Sequence, residues 1–347
     1  TMKFKNKLLI FRTKREKSWK KPIIIWSMKN NSISQAAQII KDGGLVAFPT
    51  ETVYGLGANA LNPFAVAKIF ELKERPSFDP LIVHIASFED LHILSTGICE
   101  NVMRLAKHFW PGPLTIVLPK SSIVPDIVTS GLDTVGIRMP NNSIALELIK
   151  QSNCPIAAPS ANKFGQLSPV NAHHVKKQLP NVDYVLDGGN TSVGIESTIV
   201  SIEGDTCRLL RPGFITLEDI ENALPDIFIF NSTRPEKLVS PGLLKSHYSP
   251  KKPLYILNEP LRYFPEFSGL ILHRNNNADY TATKVIYTSQ TCNKIEISAN
   301  LFASLHTMEE DESVKSIYIE PVEEKGLGIA IMDRVKKAAY QYNNSTN

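Results

Sequence analysis

The chain has 347 residues, 43% hydrophobic and 21% charged, with a net charge of +4. That length exceeds what a single hydrophobic core usually supports, so two packed domains are expected. The small positive charge falls short of a nucleic-acid footprint. No apolar stretch approaches the roughly 18 residues of a helical membrane span, and Cys99, Cys154, Cys207 and Cys292 show no paired spacing, so neither a zinc site nor a disulfide scaffold is indicated and a reducing cytoplasm is the default location.

Residues 1–31 read as a basic disordered extension: Lys and Arg crowd Lys3 to Lys21, and no small-residue cleavage site follows the short apolar patch. An organelle-targeting peptide is the alternative reading. A helix is expected from Ser34 to Lys41, stopped by Gly43-Gly44, then a buried strand from Leu45 to Phe48. Thr50 to Gly57 reads as a loop with two glycines, and a helix with Pro63 in its first turn runs to Lys73. Pro76 pushes Arg75 out of helical geometry, which places Lys73, Glu74 and Arg75 where helix gives way to extended chain.

Strands at Leu81 to Ile85, Leu114 to Leu118, Val135 to Arg138, Ile156 to Ala158 and Ile199 to Ile202 then alternate with helices near Cys99 to Phe109, Ser143 to Gln151 and Asn171 to Gln178. Several crossovers are too short for a helix, so residues 32–230 are expected to form an α/β domain on a twisted mixed sheet. Residues 231–253 lose the periodicity and carry four prolines in a polar stretch, the signature of a linker. Residues 254–342 read as a smaller α/β domain. Its strands are expected at Leu254 to Leu257, Leu270 to His273, Val285 to Tyr287 and Ser316 to Ile319, its helices near Ala299 to Met308 and Gly328 to Tyr342. Residues 343–347 are a tail.

No P-loop, nucleophile elbow or zinc-protease helix is present, and Gly326-Leu327-Gly328 lacks the third glycine of a dinucleotide fingerprint. What remains is a set of scattered polar groups. Lys73 and Arg75, two apart, project to the same side of an extended chain and could neutralise a polyphosphate, or could form a solvated helix end. Arg138 and Arg211 each end a strand, where α/β proteins commonly bind ligands, though either could be a structural ion pair. Ser160-Ala161-Asn162 and Glu196-Ser197-Thr198 put small polar groups at strand ends, as a ligand site or a plain turn would. His84 reads as a structural histidine, and His173-His174 as solvent-facing.

Taken together these pieces resemble one family, the YrdC-type threonylcarbamoyl-AMP synthases in the long form with an appended Rossmann-like C-terminal domain. The resemblance rests on Lys73-Glu74-Arg75 with Ser160-Ala161-Asn162, on Pro49 to Gly57, Pro80 to His84, Gly136 to Pro140, Glu196-Ser197-Thr198 and Leu210 to Gly213. Past the linker it rests on Ser240-Pro241-Gly242, His247 to Pro250 and Gly326 to Arg334. It spans about Ser32 to Tyr342.

The resemblance implies synthesis of L-threonylcarbamoyl-AMP and pyrophosphate from L-threonine, bicarbonate or carbon dioxide and ATP. It implies Thr52, His84, Arg138, Ala158 through its backbone, and Ser197 or Thr198 as the threonine site. For ATP it implies Lys73, Arg75, Asp79, Thr134, Ser160, Asn162, Ser168 and Arg211, with His247 or Tyr248 reaching in from the linker as part of a lid. Lys73 and Arg75 would stabilise charge in the reaction, with Mg²⁺ carried on the ATP phosphates and no metal ligand from the protein. Position 79 departs from the family, where many members have Asn; Asp is an acceptor with no amide donor. The product would pass to a separate transferase complex acting on tRNAs that read codons beginning with adenine, with weak tRNA contact and no membrane association. Two other classes compete: a non-catalytic module binding double-stranded RNA or tRNA, and a carbamoyl-transferring maturation enzyme, although the latter's zinc-finger cysteine pairs are missing here.

Overall fold

The structure, a computed structural model, describes residues 32–231, 247–259, 261–275 and 278–343; the expected N-terminal extension, most of the linker and the last four residues lie outside them. Helix α1 covers 32–41. It is followed by β1 (Val46–Phe48), β2 (Gly55–Asn59), α2 (Pro63–Lys73), β3 (Ile82–His84), α3 (Phe88–Leu94), α4 (Glu100–Phe109), β4 (Leu114–Pro119), α5 (Asp126–Thr129) and β5 (Thr134–Arg138). Then come α6 (Ser143–Ser152), β6 (Ile156–Ala157), α7 (Ala172–Gln178), β7 (Tyr184–Val185), β8 (Thr198–Glu203), β9 (Thr206–Arg211), α8 (Leu217–Ala223) and β10 (Phe228–Asn231). The second domain contains β11 (Leu254–Ile256), β12 (Ser268–Leu272), β13 (Lys284–Tyr287), α9 (Lys294–Glu310), β14 (Ser316–Ile319) and α10 (Leu327–Asn343).

Local chemistry explains the helix ends. Asn62, Asn142 and Asn293 cap α2, α6 and α9 by accepting from backbone amides of the first turn, and Pro63 needs no hydrogen bond at its own position. Thr216 and Asp219 cap α8 reciprocally. The first ten strands form one mixed sheet in the order β10-β9-β8-β4-β5-β3-β6-β2-β1-β7, and the second domain has a parallel sheet in the order β11-β14-β12-β13. Both match the expected α/β architecture. Strand β2 falls where a loop was expected, β9 is the strand expected to end at Arg211, and α3, α5, α8, β7 and β10 are additional to the expected elements.

Register decides which side chains face the functional side. His84 stands opposite Arg138 and Ile82 opposite Gly136 across the parallel β3–β5 pair; Val117 stands opposite Gly136 on β4. Alternation therefore puts Ile82, His84, Arg138 and Val117 on one face, where Ile82, Val117, Ile199 and Leu210 form a small buried apolar cluster. The two domains share a core: Val53, Leu167 and Ile195 of the first pack with Tyr248, Phe302 and Val335, each buried aliphatic stabilising by roughly 1.5–3 kcal/mol. At this seam Gly194 has φ +77°, and a Cβ there would lie 2.3 Å from the Ser298 carbonyl, so only glycine fits against α9.

Candidate active site

A cleft of about 560 Å³, counting its mouth, opens on that face. At one end is Arg138, whose strand carries it into the buried floor. Its Nη2 lies 2.6 Å from Oε1 of Glu51, its Nη1 donates to Thr52 Oγ1 at 2.9 Å, and its Nε donates to the Gly112 carbonyl at 3.2 Å. The Thr50 hydroxyl donates to the Val53 carbonyl, which leaves Thr52 to donate to Thr50 across 2.8 Å while accepting from Arg138. His84 sits beside Arg138 with its ring against the edge of Phe48. Burial, and then the Arg138 charge, pushes its pKa down to about 3, so it works as a neutral imidazole. Ala158 completes this end.

The other end is cationic. Arg75 donates to the backbone carbonyls of Asp79 and Pro80, both at 3.0 Å, and pairs with the Asp79 carboxylate at 2.9 Å. Arg211 donates from Nε and Nη2 to the Ser197 carbonyl and from Nη2 to its hydroxyl. Lys73 lies behind this wall with Nζ on the carbonyls of Ser160 and Asn162. Burial and then the neighbouring Arg75 hold its pKa well below the usual lysine range. His247 and Tyr248, from the end of the linker, close the cleft; Ser249 donates its amide to the Gly165 carbonyl, docking this segment on the first domain.

Of the residues expected from the sequence, Thr52, Arg75, His84, Arg138, Ala158, Ser160, Ser197, Arg211, His247 and Tyr248 line one cleft. Lys73, Asp79, Asn162, Ser168 and Thr198 are buried behind it. The Thr198 hydroxyl donates to the Ile215 carbonyl and that of Ser168 to Glu196, so both brace the wall from behind. Thr134 lies at the far end of β5 from Arg138, on the same face, about 13 Å along at ~3.3 Å per residue. Two expectations need correction. Lys73 is not on extended chain: the helix gives way where expected, but Lys73 is still the last residue of α2, Glu74 is left-handed (φ 55°, ψ 39°), and both basic side chains are buried. His174 does not face solvent; it is buried, its ring stacked on His306 of α9 at 3.7 Å. His84, which had both a structural reading and a site reading, lines the cleft.

Metal-binding capacity is limited. Each carboxylate at the cleft is already committed, Glu51 to Arg138, Asp79 to Arg75 and Glu196 to Arg334. Elsewhere among the described residues, His174, His306 and Glu310 bring ligand atoms within 4.8 Å of one another. Stacked rings, however, aim their in-plane lone pairs side by side instead of at one point, and the Lys177 ammonium lies 3.1 Å from Glu310. Sequence reasoning passed over Glu51 and gave no role to Arg334; both act through partners distant in the chain.

Two family descriptions match this chain: "Telomere recombination" over residues 38–213, and "Threonylcarbamoyl-AMP synthase, C-terminal domain" over residues 215–340. The threonylcarbamoyl-AMP synthase of Pyrococcus abyssi is 45% identical over 319 residues, covering 88% of this chain and 93% of that one. The chain belongs to the threonylcarbamoyl-AMP synthase family. The Bacillus subtilis member is 42% identical over 327 residues, covering 90% of this chain and 94% of its own. The crystal structure of the P. abyssi protein, Sua5, complexed with L-threonine has a TM-score of 0.80 at 43% identity, covering 89% of this chain and 94% of that one. As a threonylcarbamoyl-AMP synthase, this chain is an enzyme, and its two-domain organisation is that of the long form. No helix of its described residues is long and apolar enough to cross a membrane.

Proposed function

We propose that this cytoplasmic enzyme condenses L-threonine, bicarbonate or carbon dioxide and ATP into L-threonylcarbamoyl-AMP and pyrophosphate, for transfer by a separate complex to adenosine in tRNAs that read codons beginning with adenine. The observation that carries the reading is one cleft with a polar end at Arg138, Thr52 and His84 and a cationic end at Arg75 and Arg211, with Lys73 behind it. A guanidinium fixed by three partners presents its outer N–H groups to a carboxylate without reorganising.

The threonine amine attacks carbon dioxide and loses a proton, or attacks bicarbonate with loss of water, to form a carbamate. A carbamate oxygen then attacks the α-phosphorus of ATP, and the bond to the β-phosphate oxygen breaks to release pyrophosphate. Neither step uses a protein nucleophile, consistent with a cleft lined by arginines, hydroxyls and neutral histidines; positioning and charge stabilisation do the catalysis. Arg75 and Arg211 would hold the phosphates, and Ser160 would orient the nucleotide. Mg²⁺ would neutralise phosphate charge and would arrive on ATP, because the cleft's carboxylates are engaged with arginines.

The test is pyrophosphate release with Mg-ATP and bicarbonate, with and without L-threonine, beside a Lys73→Ala/Arg75→Ala variant. Threonine-dependent release that falls by about a hundredfold or more in the variant is expected. Folded protein that bound tRNA and released no pyrophosphate would replace this reading with that of an RNA-binding module.

A further inference from the structure

Glu196 is the acidic side chain among the residues lining the cleft, an awkward charge in the wall of a site for a polyanion. Both of its oxygens are turned away from that site: Oε1 accepts from the Ser168 hydroxyl, and Oε2 takes Nε of Arg334 at 2.8 Å. Against the effect of burial, Arg334 and then Arg211 hold the Glu196 carboxyl down at about 2, so it is ionised. Arg334 comes from α10 of the second domain and is fully buried. Its Nη1 donates to the Pro212 carbonyl at 2.9 Å, next to Arg211, and to Asp333 at 2.7 Å, and Asp333 in turn pairs with Lys337 at 2.8 Å.

These groups alternate in sign from the second domain into the cleft: Lys337, Asp333, Arg334, Glu196, Arg211. Glu196 therefore lies between two guanidinium groups, Arg334 and Arg211. Without Arg334, Glu196 loses the partner that competes with Arg211 for it.

We propose that Arg334 is a positioning residue for adenylate formation: by holding the Glu196 carboxylate on the second-domain side, it leaves the charge of Arg211 to the nucleotide. This rests on the proposed placement of ATP at Arg211. It also gives the second domain a role in the reaction beyond covering the cleft.

The test measures KM for ATP and for threonine separately, with melting curves to confirm folding, in Arg334→Met, Arg334→Met/Glu196→Gln and Arg211→Ala. Arg334→Met should raise the ATP KM about tenfold, as expected for neighbours in one charge network, with the threonine KM within about twofold of wild type. Adding Glu196→Gln should bring the ATP KM back to within about threefold, because the unpaired anion is gone. A buttress of shape alone would give a double variant no better than Arg334→Met, which would overturn the proposal. Should Arg334→Met fail to fold, the double variant carries the test, since neutral replacement of a buried ion pair is often tolerated. A near-wild-type ATP KM then supports the charge account, and one raised about tenfold or more overturns it. If Arg211→Ala leaves the ATP KM unchanged, the nucleotide placement falls and the proposal with it. If Arg211→Ala raises that KM and the Arg334 series does not behave as described, this inference alone falls.

Discussion

The two ends of the cleft are organised differently. At the Arg138 end every fixed partner, Glu51, Thr52 and Gly112, belongs to the first domain. At the Arg211 end the wall is braced through Glu196 by Arg334, delivered by the last helix of the second domain. The first arrangement draws its ion pair and hydrogen bonds from one domain. The second makes the Arg211 end answer to how the domains are docked.

The sharpest way to break this comparison is Arg138→Ala. It strands the Glu51 carboxylate in the core, which should cost about 3 kcal/mol of stability in denaturant titrations and abolish threonine-dependent pyrophosphate release. Retention of threonine binding would remove Arg138 from the site. A smaller effect is expected from Glu51→Ala, which leaves Arg138 with Thr52 and Gly112: about 2 kcal/mol in stability and a threonine KM raised about tenfold with the ATP KM unchanged. Equal rises in both constants would show that the ends are not separable.

The mildest test uses pH. His84 and His247, one toward each end, both have pKa values pushed down to about 3, by burial first, against an ordinary 6.5. The unfolded chain therefore binds protons that the folded chain refuses, so stability is full above about pH 6.5 and declines as pH falls toward 3. At about pH 5.5 each histidine should account for roughly 1 kcal/mol of that loss. Replacing His84 with Asn should flatten the decline in melting temperature between about pH 7 and 5, and an unchanged slope would mean that this ring takes up protons equally in the folded and unfolded chain.

Much of the first domain was legible because its signals are local. Pro63 and Asn62 mark the start of α2, and the apolar runs mark β4 and β5. Strand β2 was hidden by the glycines that make it possible: a Cβ at Gly57 would come within 2.7 Å of both Ile156 and Phe48, so close strand packing there requires a residue type that reads as a turn. His174 was misplaced because its burial comes from α9, in the other domain. The cleft-lining candidates came from family resemblance combined with strand-end position. Glu51 and Arg334 carry no such local mark; their significance lies in partners that only the folded chain brings near.

The position of α10 in the chain also has a bearing on synthesis. Domains tend to fold in the order they leave the ribosome, and every strand of the ten-stranded sheet precedes the second domain. A nascent or prematurely ended chain can therefore hold a formed Arg138 end while Glu196 still lacks its cation. In such a chain the Arg138 end of the cleft would be in place before the Arg211 end is braced, so the last helix is the element that completes the wall.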